Sequence, residues 1–305
     1  MNLKMLSRVA DDVYWMARYV ERAQNFSRIL AIRKTQSAQM ITRERWEDFL
    51  LVFGDPHAGD VDDPSSILRH VICDASCPIS LCTNIKMARD NARMARDMVS
   101  PEMWQTLTRM QNTVSGQVQD IDDESWEDLL SQVTMDALTF QSLLVSTILQ
   151  DEAYHFMMIG TMLERALSTL RLLLSYFGTL SLWDNEPLYA VNALKSVTGY
   201  GAFRRAYRKQ LQAPDVIQFL LFEPAFPRSV VSAAAHLLRE LQALPEPGGM
   251  PRLLAGRLSA QLSYDTMDLV MEATPEVYVR RLITQFEQIH DGLMIRYFQP
   301  EVQEV

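Results

Sequence analysis

Two Glu-Arg dipeptides bring together the side chains in this sequence best suited to chemistry. Glu21-Arg22 stands in YVERAQNFSRIL (19–30) and Glu164-Arg165 in MLERALSTLRLL (162–173), with Ala23 matching Ala166 and Arg28 matching Arg171. Around the first dipeptide, Asp11, Tyr14, Arg18, Asn25 and Arg28 follow helical spacing, which places them with Glu21 and Arg22 in one sector of a helix. A guanidinium presents a planar fork that matches a carboxylate or phosphate. A neighbouring carboxylate orients that fork or serves as a general base. Arg18, Arg22 and Arg165, with Tyr14 and Asn25, are therefore candidate ligand-binding residues. Glu21 and Glu164 are the candidate catalytic ones. An ion-pair lattice that fixes helix packing is the competing reading of the same residues.

Further clusters invite the same question. In KMARDNARMARDMVS, Lys86, Arg89, Arg93 and Arg96 share one helix face, with Asp90 and Asp97 beside it. Arg89, Arg93 and Arg96 join the candidate anion-binding set. A weaker group is Tyr200 with Arg204, Arg205 and Arg208. Glu152-x-x-His155 and Glu287-x-x-His290 have the spacing of di-metal carboxylate bundles. Glu152 and Glu164 fall on one helix, however, whereas such bundles need their lone carboxylates on separate helices, so no metal site is assigned. Cys73, Cys77 and Cys82, with His70 nearby, match no common zinc spacing. They read as reduced, partly buried thiols, because three clustered cysteines do not make a disulfide framework.

The elements that must carry these residues are helices. Apolar periodicity predicts them at about 5–37, 80–98, 102–119, 124–149, 151–178, 188–211, 228–243, 251–272 and 275–297. Ser100-Pro101-Glu102 and Thr274-Pro275-Glu276 have the order of cap, first-turn proline and acid that starts a helix, and Asp122, Asp123 and Glu124 open another. On the first helix Leu6, Val9, Val13, Met16, Ala17 and Val20 form a core stripe, and Trp15, Tyr19 and Phe26 a second, aromatic sector. Its polar sector therefore faces other protein or a ligand cavity. Breaks fall at Gly54–Pro64, Asp184–Pro187, Pro224–Pro227 and Pro245–Pro251. The expectation is an all-α, single multi-helix bundle, with two related halves at about 1–135 and 136–305.

Composition narrows the function classes. The chain has 305 residues, 48% hydrophobic and 22% charged, which suits a globular core. A net charge of -9 argues against nucleic acid or anionic membrane as a partner. No apolar run approaches the roughly 18 residues of a membrane span, and the N-terminus has no signal-peptide pattern, so a cytoplasmic location is expected. Phosphate-loop, dinucleotide and nucleophile-elbow motifs are missing from the sequence. Methionines 157, 158 and 162 are read as core filler or an adaptable contact surface.

With these residues in view, the chain resembles the alpha-E family of α-helical proteins named for a Glu-Arg motif. The resemblance rests on MLSRVADDVYWMARYVERAQN (5–25), ARDNARMARDMVSPEMWQTL (88–107), DEAYHFMMIGTMLERA (151–166), VTGYGAFRRAYRKQL (197–211) and FLLFEPAFPRSV (219–230). It implies an all-helical bacterial protein working beside a circularly permuted ATP-grasp protein and a transglutaminase-like peptidase. It points to Arg18, Glu21, Arg22, Arg93, Arg96, Glu152, Glu164 and Arg165. Departures are Cys77-Pro78 in place of an Asn-Pro step, His155 in place of a basic residue, and Thr161 where the family repeats an Arg before the second dipeptide.

The expectation is thus the helical component of a peptide-modifying or amide-ligating system, using ATP only through its partner. Arg22, Arg93 and Arg165 would clamp an anionic ligand, with Glu21 or Glu164 as orienting group or base. Replacing Arg22 with Ala should then abolish activity and spare the fold. The alternatives are a non-catalytic scaffold for the same partner and a di-metal helical bundle, and homo-oligomerisation is left open.

Overall fold

Long stretches free of internal proline, with apolar residues every third or fourth position, form long helices here as expected. The computed structural model describes residues 5–37, 50, 52–54, 64–117, 125–177, 187–208, 210–245 and 249–299. In chain order the helices are α1 (Ser7–Ser37), α2 (Pro64–Cys73), α3 (Leu81–Met94), α4 (Pro101–Gln117), α5 (Ser125–Thr147), α6 (Glu152–Phe177) and α7 (Pro187–Ser196). They continue as α8 (Tyr200–Ala206), α9 (Ala213–Phe222), α10 (Val230–Ala243), α11 (Met250–Tyr264), α12 (Met267–Ala273) and α13 (Pro275–Leu293). Among the described residues there is no strand, and the fold is all-α.

Two helices form the spine. α1 and α6 run parallel, since partners rise together along both: the Met5 amide donates to Glu152, Arg18 and Arg22 to Glu164, and Arg33 to the Ser175 carbonyl. Each spine helix closes a ring of four. α1 packs on α3, α3 on α4, α4 on α5, and α5 back on α1. In the same order α6 packs on α10, α10 on α11, α11 on α13, and α13 back on α6. The spine comes close because Gly160 of α6 sits against the α1 backbone. A Cβ there would lie 2.5 Å from the Tyr14 carbonyl oxygen.

Local chemistry explains most helix boundaries. Ser100 caps α4 through the Met103 amide, as its spacing predicts, and Ser80 caps α3 through Thr83. Thr274 departs from expectation. It ends α12 and starts α13 at φ 68°, so the backbone reverses at this residue and its side chain makes no capping bond. The helix expected at 188–211 is two. Gly199 N–H bonds the Leu194 carbonyl and Thr198 N–H the Lys195 carbonyl, the paired pattern that stops a helix, with Thr198 left-handed at φ 56°. The helix expected at 251–272 also breaks, at Asp265-Thr266, and 294–298 widens into a π turn. α2 and α9 were not anticipated. α9 buries Val216, Ile217, Phe219, Leu220 and Leu221 around most of its circumference, which erases the amphipathic period.

The stripe assigned to α1 is buried at Val13, Met16, Ala17 and Val20, while Leu6 is exposed because it precedes the packed part of the helix. Met157 and Met162 are core residues. Asp122, Asp123 and Glu124, and most of the breaks at 55–63 and 184–186, lie outside the described residues.

Candidate functional site

The polar sector of α1 meets the matching sector of α6, and the two Glu-Arg dipeptides pair crosswise. Arg165 grips Glu21 with Nε on Oε1 and Nη2 on Oε2, both at 3.0 Å. Arg22 grips Glu164 the same way, at 2.7 and 2.8 Å. Both carboxylates are 0% exposed. A carboxylate so enclosed stays ionised only when opposite charge and hydrogen bonds replace water.

Each carboxylate has further partners. Glu164 also accepts from Arg18 Nε at 2.9 Å. Arg18 in turn lies over the Trp15 ring and donates to the Tyr14 hydroxyl. Glu21 accepts from Asn25, from Gln141 of α5, and from Arg228 at 3.3 Å. Arg228 also binds Asn25 and Gln24. Its position is set by the turn before α10: the Arg228 carbonyl accepts from Thr169, and Ser229 caps α10 through the Ser232 amide.

Arg228 resolves the departure at Thr161. By the internal echo, Thr161 occupies in α6 the place of Arg18 in α1, yet its hydroxyl only donates back to the Met157 carbonyl. The second cation on Glu21 comes from Arg228, outside either spine helix. Each carboxylate also has a third arginine close enough to influence it, Arg28 for Glu21 and Arg171 for Glu164.

These surroundings shift the titrations. Burial alone would raise Glu21, but Arg165 and Arg228 outweigh it and hold the carboxyl at about 2. Glu164 is lowered likewise, with Arg22 and Arg18 overcoming burial. Burial, with Arg165 and Arg28 nearby, lowers Arg228 to about 9. Burial raises Tyr14 to about 12. His290 of α13 is pushed down to about 4 by burial and Arg18. Its Nδ1 lies 2.8 Å from the Tyr14 hydroxyl and 3.4 Å from Arg18, so a neutral ring accepts there and carries its proton on Nε2.

Of the residues expected to form the site, Tyr14, Arg18, Glu21, Arg22, Asn25, Glu164 and Arg165 come together. Arg89, Arg93 and Arg96 do not join them. Arg89 and Arg96 stack on Trp104, Arg96 also donates to the Val99 carbonyl, and Arg93 is exposed on α3. Arg93 therefore does not share a clamp with Arg22 and Arg165, whose forks are already occupied by Glu164 and Glu21. Because Arg22 holds up the spine, its removal would disturb the fold as well as any activity. Tyr200, Arg204, Arg205 and Arg208 lie on the surface of and after α8.

The two Glu-x-x-His pairs do not converge. Glu152 accepts from the Met5 amide, His155 pairs with Glu240 at 2.8 Å, His290 meets Tyr14, and Glu287 approaches Arg171 at 4.0 Å. Among the described residues, no three His, Cys, Asp or Glu side chains gather as a metal donor set. His70 pairs with Asp74, while Cys73 and Cys82 are free thiols joined by a hydrogen bond and Cys77 is a buried thiol.

Sequence reasoning missed Arg228, Gln24 and Gln141, and read His290 as a helix-surface or satisfied core histidine rather than as a partner of Tyr14 and Arg18. Arg228 precedes α10 in a turn, where helical periodicity carries no information. Gln24 and Gln141 have no charge to draw attention.

A model of α-helical domains with a conserved ER motif, Alpha-E, matches residues 5–298. The chain belongs to the Alpha-E family. The dipeptides that pair across the spine are themselves Glu-Arg. An uncharacterized protein of Mycobacterium bovis is 24% identical over 279 residues, covering 80% of this chain and 30% of the relative. Uncharacterized proteins of two Mycobacterium tuberculosis strains are 24% and 23% identical with the same coverage. This Alpha-E chain thus spans about 30% of the length of these curated relatives. No solved structure matches it. No helix among the described residues is long and apolar enough to cross a membrane.

Proposed function

We propose that this Alpha-E protein is the helical, ligand-holding component of a cytoplasmic peptide-modifying or amide-ligating system whose ATP-grasp partner activates a carboxylate. One observation supports the ligand-holding role above all. Among the described residues, Arg18, Arg22, Arg28, Arg165, Arg171 and Arg228 surround two fully buried carboxylates, Glu21 and Glu164, with the half-exposed Glu287 4.0 Å from Arg171. Excess positive charge in a low-dielectric centre is costly and is relieved by a bound anion. A carboxylate or a phosphorylated intermediate, the species such a system handles, carries that charge. In this reading the glutamates hold the arginines in place. Their lowered titrations make them poor proton acceptors near neutral pH.

Support for a partner is the length of the relatives, most of which lies outside the region shared with this chain. The test is a tagged pull-down from the native bacterium at physiological salt, followed by ATP turnover and amide-product assays on the recovered pair. An ATP-grasp protein recovered in stoichiometric amount, with turnover that needs both components, would support the proposal. A partner-free protein would overturn it.

A second reading, a non-catalytic scaffold for the same partner, draws on the fully occupied forks of Arg22 and Arg165. It predicts that exposed apolar residues, and not the arginine centre, control recovery of the partner.

A further inference from the structure

The Glu21 side of the centre has hydrogen-bond donors that the protein does not satisfy. Gln24 is 0% exposed. Its Oε1 accepts from both Gln141 and Arg228, and since both neighbours are donors, the amide orientation is fixed. That leaves the Gln24 Nε2 donor buried and unpaired. One turn along, the Ser27 hydroxyl is also buried without a partner. Arg28 Nη1 is a third such group. Positions 24, 27 and 28 are three and four residues apart, so they occupy neighbouring turns on one side of α1. Buried polar atoms are paired in the great majority of folded proteins, and each group left over demands an explanation.

The surroundings say which explanation fits. Two of the three groups can only donate, the third is a hydroxyl, and the neighbouring charges are Arg165 and Arg228. Glu21, the nearest carboxylate, is already bound by Arg165, Asn25, Gln141 and Arg228. A ligand here must therefore accept hydrogen bonds and bring negative charge. Arg28 is itself only partly buried, so the three groups sit at the edge of the core. Its proton is also held less tightly than usual, through burial and the nearby Arg165.

We infer that this side of α1 is an oxyanion subsite, in which a carboxylate or phosphate group accepts from Gln24 Nε2, Ser27 Oγ and Arg28 Nη1. The inference rests on the proposal that the arginine centre takes an anion, and it assigns that anion to the Glu21 side. Arg171, the counterpart of Arg28 on the Glu164 side, has the Glu287 carboxylate at 4.0 Å and so has an acceptor nearby.

The test is titration of the full chain with inorganic phosphate and with acetate in low-chloride buffer, read by calorimetry and by the thermal midpoint. Wild type, Arg28→Gln, Ser27→Ala, Arg171→Gln on the Glu164 side and, as control, Arg93→Gln on the exposed face of α3 would be compared. The expected result is saturable binding to wild type and Arg93→Gln, weakened about tenfold or more in Arg28→Gln, measurably in Ser27→Ala, and less in Arg171→Gln than in Arg28→Gln. The preferred probe distinguishes a phosphate from a carboxylate ligand. Binding lost in Arg171→Gln and kept in Arg28→Gln would overturn this assignment and leave the broader proposal standing. Absence of binding to wild type by either anion would overturn both.

Discussion

Glu21 and Arg165 face each other across the α1–α6 interface through two hydrogen bonds of 3.0 Å, and Arg22 and Glu164 repeat the arrangement in the opposite sense. The motif of each helix is thus completed by the motif of the other. Neither dipeptide's arginine binds the glutamate beside it.

This mutual dependence predicts large effects from small changes. Glu21→Gln leaves Arg165 and Arg228 without their shared anion. Removing one partner of a buried pair costs about 3–5 kcal/mol. Denaturant unfolding should show a loss of that order, and Glu164→Gln a similar one. A loss below about 1 kcal/mol, the range of surface pairs, would contradict the burial described here.

Gly160 predicts a contrast between two glycine-to-alanine changes. At 160 the added methyl would meet the Tyr14 carbonyl oxygen at 2.5 Å, a backbone atom held by α1. Overpacking of this kind costs about 1–3 kcal/mol. Gly116, also helical, has nothing within 4 Å of the place a methyl would take, so Gly116→Ala should stabilise by up to about 1 kcal/mol. Equal thermal midpoints for the two variants would argue against the close spine contact.

Stability should fall in acid in two stages. His290 titrates at about 4 in the fold against 6.5 ordinarily, chiefly through burial and Arg18. Between those values the unfolded chain takes up the proton first, so stability is lost as pH falls from about 6.5 to 4. Glu21 is depressed from 4.5 to about 2, because Arg165 and Arg228 outweigh burial, and its contribution is lost as pH falls through that lower window. Unfolding free energies measured against pH should show both slopes. His290→Asn should flatten only the upper one, and an unchanged profile would refute its neutral, buried state.

Arg228 predicts a rescue. Arg228→Ala removes the second cation from Glu21, as Arg18→Ala would from Glu164. If Arg228 stands in for the arginine lacking at 161, Thr161→Arg in the Arg228→Ala background should recover part of the lost stability. In the wild-type background the same change adds a fourth guanidinium to Arg165, Arg228 and Arg28 around one carboxylate and should destabilise. Identical effects of Thr161→Arg in both backgrounds would break the equivalence.

Much of this architecture was legible from local pattern. Helical periodicity located α1, α3–α6, α10 and α13, because one face of each turns inward and repeats every three or four residues. It also marked Tyr14, Arg18, Glu21, Arg22 and Asn25 as one sector and matched Glu164-Arg165 to it, since side chains on neighbouring turns are fixed by helix geometry alone. It failed where local pattern is blind. Thr198 stops a helix without the usual glycine at its own position, and α9 is apolar on too many sides to show a period. The crosswise pairing, the arrival of Arg228 from a turn 207 residues from Glu21, and the exclusion of Arg89, Arg93 and Arg96 were decided by tertiary structure. Helical spacing fixes which side chains share a turn. Which charges share a carboxylate depends on the helices that meet there, and the parallel packing of α1 on α6 sets that meeting.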